Sequence, residues 1–132
     1  MFELHPRLAG DTFLVGSFPL SLLLLMNDAN YPWFILVPQR EGMTEIYQLP
    51  AEDQAQLMTE SSLLSARLAG HFGARKMNVA ALGNMVPQLH LHHIVRYETD
   101  PAWPGPVWGM PAPGTGLGET TPPDAPASPP EG

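Results

Sequence analysis

The sequence of 132 residues contains no cysteine, a single lysine (Lys76), and only 14% charged residues. Without cysteine there is no disulfide framework, no thiol nucleophile and no cysteine-ligated metal site. Acidic residues outnumber basic ones by 13 to 6, and the net charge of -7 disfavours binding to a nucleic-acid backbone. The longest apolar run, residues 22–26, is too short to span a bilayer, and the N-terminus does not resemble a secretory signal. We therefore expect a soluble cytoplasmic protein.

The composition changes sharply near residue 100. Most of the 16 prolines follow this point, and residues 101–132 contain no Lys or Arg. Trp103 and Trp108 indicate that the first part of this segment packs against the preceding chain, whereas residues from 110 onwards offer almost nothing to bury. We predict a domain over 1–109 and a Pro/Gly-rich disordered tail over 110–132, for which the sequence indicates no role.

The body of the chain predicts an α+β fold, with an antiparallel sheet of about five strands, one main helix and a short N-terminal helix or turn. A helix is indicated after Pro50, since apolar residues recur at helical spacing until Gly73, a natural stop. The turn formers of residues 27–32 separate two apolar runs and indicate an antiparallel hairpin. The predicted strands cover 12–18, 21–26, 33–37, 77–82 and 89–97.

Three of the five histidines lie within four positions, in the segment Gln88-Leu89-His90-Leu91-His92-His93. Because strand side chains alternate between faces, Gln88, His90 and His92 should share one face. The intervening leucines and His93 should lie on the opposite, core-facing side. The pattern therefore predicts a row of nitrogen-bearing side chains on one side of an anchored strand.

Three interpretations of this row are open. The row of side chains could form the polar outer face of a sheet, or it could bind a metal ion. It could also be the nucleophilic centre of a phosphoryl or nucleotidyl transferase. A metal site would need a third ligand from elsewhere, such as His5, His71 or Asp28. Neutral imidazole is a good nucleophile near pH 7, because its reference pKa is about 6.5.

The segment 88–94 resembles the histidine triad (HIT) signature, His-x-His-x-His followed by two apolar residues. The flanking segments 78–87 and 96–105, together with 24–28 and 32–38, resemble a bacterial branch of HIT hydrolases often labelled diadenosine-tetraphosphate-hydrolase-like. The resemblance covers roughly residues 3–109 and implies a HIT-like fold, usually as a homodimer. It implies cleavage of an adenosine-type phosphoanhydride, such as a diadenosine polyphosphate, without a metal or other cofactor.

The resemblance also implies residue roles. His90, the middle position of the motif, attacks the α-phosphorus and forms a nucleotidyl-histidine, which water or another acceptor then releases. His92 donates to a phosphoryl oxygen as charge builds, and the amide of Gln88 or Asn84 could do the same. These positions make His90, His92 and Gln88 the expected catalytic residues.

Substrate binding is expected at Asn27, Asp28, Asn78 and Asn84. Asn27 and Asp28 end the strand before the hairpin turn, where an acidic or amide residue binds the ribose hydroxyls in the family. A turn-capping Asx motif is an equal alternative for this pair, as is plain turn chemistry for Asn84 beside Gly83. Trp103 and Trp108 are expected either to wall the site or dimer seam, or to pack as a C-terminal arm.

Three positions depart from the family pattern. Gln88 replaces the first motif histidine and cannot carry a proton, so poor leaving groups should react badly. Trp33 stands where many relatives carry a fourth histidine. His93 occupies a position where an aliphatic residue is expected, and we expect a hydrogen-bonded, catalytically silent ring at a partly open end of the sheet. The first two departures favour a second hypothesis, a nucleotide-binding protein with weak or lost catalysis.

Overall fold

A computed structural model describes residues 1–109 of the chain. Five strands form one antiparallel sheet in the order β1-β2-β3-β5-β4, with one long helix and a short N-terminal helix. The predicted α+β architecture is confirmed. The elements are α1 (Pro6–Asp11), β1 (Thr12–Ser17), β2 (Ser21–Met26), β3 (Trp33–Pro38), α2 (Ala51–Phe72), β4 (Lys76–Ala80) and β5 (Leu91–Arg96).

The predicted hairpin is formed by β2 and β3, which pair in antiparallel register with Leu24 opposite Ile35. Its turn is stabilised by Asp28, whose Oδ1 accepts a hydrogen bond of 2.7 Å from the backbone N–H of Asn30. An Asx turn of this kind ends one strand and starts the next with a local hydrogen bond. The hairpin brings Trp33 to the first position of β3.

Helix α2 covers one face of the sheet and supplies one of two hydrophobic clusters. The helix ends at Gly73, whose φ of 63° lies in the left-handed region that favours glycine. Its buried Leu57, Leu64 and Leu68 pack with Leu91 and Val95 of β5, which lies between β3 and β4 in the sheet. The side-chain alternation predicted for β5 is therefore observed, because its leucine and valine positions face the helix.

The opposite face of the sheet carries the second cluster, in which Ile35 of β3 and Ile94 of β5 are fully buried. Three separate segments cover this face. They are the N-terminal segment and α1, the loop before β5, and the C-terminal arm, which contribute Leu8, Val86 and Val107 respectively. The N-terminal segment and the C-terminal arm thus both pack on the sheet face that carries Ile94 of β5.

Arg96, the last residue of β5, attaches the C-terminal arm to the sheet. Its guanidinium binds both carboxylate oxygens of Asp100, at 2.8 and 3.0 Å, with side-chain exposures of only 2% and 3%. It also donates to Asn78 Oδ1 at 2.6 Å and to the carbonyl of Gly105 at 2.8 Å. One buried cation thus joins β4, β5 and the arm.

Four of the five strands have bounds that differ from the sequence prediction by one or two residues at an end. Strand β5 begins at Leu91 rather than at 89, because the N–H of Leu89 donates to the carbonyl of Met43 at 3.0 Å instead of joining the ladder. A single 3-10 turn over Ile46–Gln48 was also not predicted. The proposed tail, 110–132, lies outside the described residues. Within 1–109, no helix is both long enough and apolar enough to cross a membrane.

Candidate active site

His90 lies immediately before β5, and its ring is fixed by the local backbone. Its Nδ1 lies 2.6 Å from the carbonyl oxygen of Gln88. A carbonyl can only accept a hydrogen bond, so Nδ1 carries a proton in this contact. In the neutral ring the lone pair is therefore on Nε2, as required of a nitrogen nucleophile.

His92 has the opposite tautomer. Its Nδ1 lies 3.0 Å from the indole Nε1 of Trp33 in a buried hydrogen bond. Indole N–H can only donate, so Nδ1 of His92 carries the lone pair and Nε2 carries the proton of the neutral ring. The rings of His90 and His92 are adjacent, with centroids 4.8 Å apart. Two neighbouring imidazoles thus present different groups, one a lone pair and the other an N–H.

Aromatic rings surround this pair. Trp108 of the C-terminal arm lies against His92, with centroids 5.1 Å apart, and against Trp33 at 5.6 Å. His90 is 1% exposed and His92 is not exposed at all. Trp108 thus walls the histidine pair, whereas Trp103 lies over the guanidinium of Arg96. Trp108 thus matches the interpretation in which a tryptophan walls the site, whereas Trp103 matches the interpretation in which it packs as part of the C-terminal arm.

The Gln88 side chain is turned toward the N-terminal segment. Its Oε1 accepts from the N–H of His5, and its Nε2 donates to the carbonyl of Glu3, both at 2.8 Å. This amide therefore pairs with backbone much as a neighbouring strand would. In this structure Gln88 contributes its carbonyl to His90, while its side chain holds the N-terminus in place.

The expected ribose-binding residues, Asn27 and Asp28, lie at the end of β2 beside the start of β3. Asp28 caps the hairpin turn, as the Asx alternative predicted. Burial raises the pKa of the Asp28 carboxyl, although backbone hydrogen bonds from Asn30 and Tyr31 oppose the shift. The register of the hairpin, with Leu25 opposite Phe34, places these residues at the end of the sheet where Trp33 begins β3.

The two other expected binding residues are separated. Asn78 on β4 is opposite Ile94, on the sheet face that carries His92, and it accepts the hydrogen bond from Arg96. Asn84 is exposed in the loop between β4 and β5, next to Gly83 with its φ of 81°. The structure thus groups His90, His92 and Trp33, engages the Asn78 side chain with Arg96, and leaves Asn84 exposed in a loop.

His93 lies on the helix-facing side of β5 and is not at an open sheet end. The ring is fully buried, in contrast to the expected partial opening, because α2 covers it. Its Nδ1 donates to the carbonyl of Leu91, and its Nε2 lies 2.7 Å from Ser61 Oγ of α2. The expected hydrogen bonding is present. The bond joins helix to sheet on the face opposite the His90–His92 pair.

We expect His93→Val to leave turnover unchanged in the folded protein, because the ring lies on the other face of the sheet. The variant should lower the free energy of unfolding by about 1–3 kcal/mol, the cost of leaving the buried Ser61 hydroxyl without a partner. Urea unfolding and steady-state rates measure the two effects. Adding Ser61→Ala should recover part of the stability; loss of turnover in folded His93→Val would contradict the assignment.

The buried His93 ring should also make the free energy of unfolding depend on pH. Burial lowers the pKa of His93 to about 4, against backbone hydrogen bonds to Leu91 and Phe34 that raise it. Unfolded histidine binds a proton below about pH 6.5, whereas the folded ring stays neutral. The free energy of unfolding should therefore fall as pH drops from 6.5 to 4. This slope should be smaller in His93→Val and retained in Ser61→Ala, as measured by urea unfolding at each pH.

Within residues 1–109, no three His, Asp or Glu side chains are grouped as they would need to be to hold a metal ion.

Sequence reasoning missed the contact between Trp33 and His92. The two residues are 59 positions apart, and the tryptophan was noted only as a missing histidine. Alternation along each strand does place both on one sheet face. The sequence contains no signal for the diagonal reach of the indole across the β3–β5 pair.

In this α+β domain the histidine pair lies on one face of the sheet, at the β3–β5 strand pair. A model of the HIT domain family matches residues 7–99. The chain belongs to the HIT domain family. Membership supports nucleotide hydrolase or nucleotidyltransferase chemistry in general.

Solved structures of histidine triad proteins agree with this assignment. A histidine triad protein from Marinobacter aquaeolei VT8 is 63% identical, with a TM-score of 0.83, over 86% of this chain and 82% of that one. One from Bradyrhizobium japonicum is 52% identical, with a TM-score of 0.83, over 85% and 84%. A third, from Sinorhizobium meliloti 1021, is 49% identical, with a TM-score of 0.82, over 84% and 82%. No curated protein gives a significant match.

Proposed function

We propose that this protein cleaves an adenosine-type phosphoanhydride, such as a diadenosine polyphosphate, through a nucleotidyl intermediate on His90. The observation that carries the proposal is the pair of complementary tautomers. His90 directs its proton to a backbone carbonyl, and His92 directs its lone pair to an indole. The first ring is thereby a nucleophile and the second a hydrogen-bond donor, at adjacent positions.

The reaction has two displacements. The Nε2 lone pair of His90 forms a bond to the α-phosphorus, while the bond from phosphorus to the bridging oxygen breaks and its electron pair leaves with the phosphate-containing product. Water or another acceptor then forms an oxygen–phosphorus bond, and the nitrogen–phosphorus bond returns its electrons to His90. The proton of the attacking water passes to solvent. His92 donates to a non-bridging oxygen throughout.

Good leaving groups fit this site. Burial, together with nearby His90 and His93, lowers the pKa of His92 to about 3, so the ring is neutral near pH 7. Gln88 carries no transferable proton and its amide is engaged by the N-terminal segment. Neither side chain can protonate a departing amine or alkoxide, whereas a polyphosphate leaves as a stable anion.

The other residues predicted from the sequence have supporting roles in the proposal. Asn27 and Asp28 are proposed to contact the ribose hydroxyls, and Asn78 and Asn84 to contact other parts of the substrate. Gln88 would contact phosphate only if its amide left the N-terminal segment. A cytoplasmic location remains part of the proposal.

A homodimer is also proposed. Exposed Phe13, Leu14 and Val15 give edge strand β1 an apolar surface that a second copy would cover. Sedimentation equilibrium should give twice the chain mass of 14.4 kDa; a monomer would oppose this part of the proposal.

Trapping the intermediate tests the proposed chemistry. The full chain is incubated with a diadenosine polyphosphate labelled at the α-phosphorus, then quenched in alkali. We expect acid-labile label on the wild-type protein and none on His90→Asn, which cannot form the nitrogen–phosphorus bond. His93→Val is the matched control and should label normally. Turnover without label, or label that persists in His90→Asn, would contradict the role of His90.

The second candidate is a nucleotide-binding protein without turnover. The burial of His90 and His92 favours it, since a substrate reaches them only if the covering residues move. Nucleotide binding by calorimetry, with neither label nor product, would favour this candidate.

A further inference from the structure

We propose that Trp33 is a positioning residue that holds His92 in its Nε2–H tautomer, so that His92 acts as a neutral hydrogen-bond donor to the substrate. This inference rests on the proposed function and adds a role for a residue that the motif does not contain. It begins from the direction of one hydrogen bond. The indole Nε1 lies 3.0 Å from Nδ1 of His92 and has no lone pair to accept a hydrogen bond.

The second observation is on the far side of the same ring. Nε2 of His92 is buried and has no hydrogen-bond partner within residues 1–109. A buried donor without a partner is rare in a native protein and calls for an explanation. The hydrogen bond from Trp33 to Nδ1 places the proton of the neutral ring on Nε2, and this is why the buried N–H has no partner. A phosphoryl oxygen reaching His90 would supply the missing acceptor.

The indole is itself held in place. Trp33 is 2% exposed and makes edge-to-face contacts with two rings, Tyr31 at a centroid distance of 6.4 Å and Trp108 at 5.6 Å. It is the first residue of β3 and pairs with Ile94, so the indole reaches diagonally to His92. These ring contacts and the strand pairing keep the Trp33 N–H aimed at Nδ1, so the tautomer of His92 is set before substrate binds.

A tryptophan differs from a histidine in this position. A histidine could donate or accept and could itself titrate, whereas indole stays a neutral donor at every pH of interest. The titratable groups near His92 are His90 and His93 of its own segment; β3 and the C-terminal arm present the uncharged rings of Trp33 and Trp108. The Trp33 indole therefore donates to His92 in a single protonation state, and it cannot relay protons as a histidine could.

The test combines imidazole ¹⁵N NMR with kinetics on the full chain. Wild-type His92 should show the Nε2–H tautomer. Trp33→Phe removes the donor and should yield the Nδ1–H form or a mixture, with kcat reduced about tenfold to a hundredfold, as is typical when a supporting partner is lost. Trp103→Phe is the matched control for the spectrum, because it makes the same substitution in the C-terminal arm at a ring that lies over Arg96 rather than against Trp33 or His92.

Two results would overturn the proposal: an Nδ1–H tautomer in wild-type His92, or a Trp33→Phe protein with unchanged tautomer and kcat. The first needs no variant and so holds even if Trp33→Phe fails to fold. Labelling of His90 separates this outcome from failure of the proposed function. If His90 becomes labelled but the tautomer is wrong, only the role of Trp33 fails; if no label forms, the chemistry fails whatever the tautomer.

Discussion

Turnover of a nucleoside phosphoanhydride should exceed that of the phosphoramidate of the same nucleoside monophosphate by about 10²–10⁴-fold in kcat/KM, the range that general acid catalysis supplies where it exists. The departing amine of a phosphoramidate must gain a proton as its bond to phosphorus breaks. Gln88 has none to give, and His92 is neutral with its pKa lowered to about 3 by burial and by its histidine neighbours.

A series of leaving groups on one nucleoside monophosphate measures this dependence. Rates should fall steeply as the pKa of the leaving group rises, and the slope should be the same in the His93→Val control. Equal rates for the anhydride and the phosphoramidate would show that an acid is present and would contradict the proton-poor site described above.

The second large effect is on stability. Asp100→Asn should lower the free energy of unfolding by about 3–5 kcal/mol, because it leaves the charge of Arg96 buried without its partner. The two side chains are 2% and 3% exposed and share two hydrogen bonds. The guanidinium carbon of Arg96 also lies 5.7 Å from the ring centroid of Tyr31 and 5.7 Å from that of Trp103. Urea unfolding of the two proteins gives the difference.

An exposed ion pair provides the control. Arg75 and Glu98 are 3.5 Å apart with side-chain exposures of 61% and 66%, so Arg75→Met should cost at most about 1 kcal/mol. A loss in Asp100→Asn no larger than in Arg75→Met would contradict the structural role of the buried pair.

The pH dependence of this effect has a definite sign. Burial alone would raise the pKa of Asp100, but the hydrogen bonds and charge of Arg96, with backbone N–H groups of Tyr97 and Trp103, lower it overall. The carboxylate therefore contributes stability above its unfolded pKa of about 3.9, and this contribution is lost as pH falls through the lower folded value. The gap between wild type and Asp100→Asn should accordingly narrow below about pH 4.

Several features of the fold followed from local pattern. The alternation along Leu91–Arg96 predicted which side chains of β5 face α2, since a strand places neighbours on opposite faces. The apolar spacing before Gly73 predicted the main helix and its end, because glycine adopts the left-handed conformation at little cost. The turn residues before Trp33 predicted the hairpin. These features depend on residues close together in the chain.

Local sequence pattern predicted only part of the chemistry of the candidate site. The motif identified His90 and His92 as a pair, but not which nitrogen of each carries the proton. Gln88 was expected near phosphate, yet its amide binds backbone 83 and 85 positions away. His93 was expected at a partly open sheet end, and α2 buries it instead.

The sequence by itself determined the order of strands and helix, the faces of β5 and the identity of the histidine pair, because each is set by periodicity or by adjacent residues. Tertiary structure alone decided the partners: Trp33 for His92, Ser61 for His93 and the N-terminal backbone for Gln88. A hydrogen bond between distant residues depends on strand register and on the packing of layers. The residues next to each partner in the chain predict neither the strand register nor the packing of the layers.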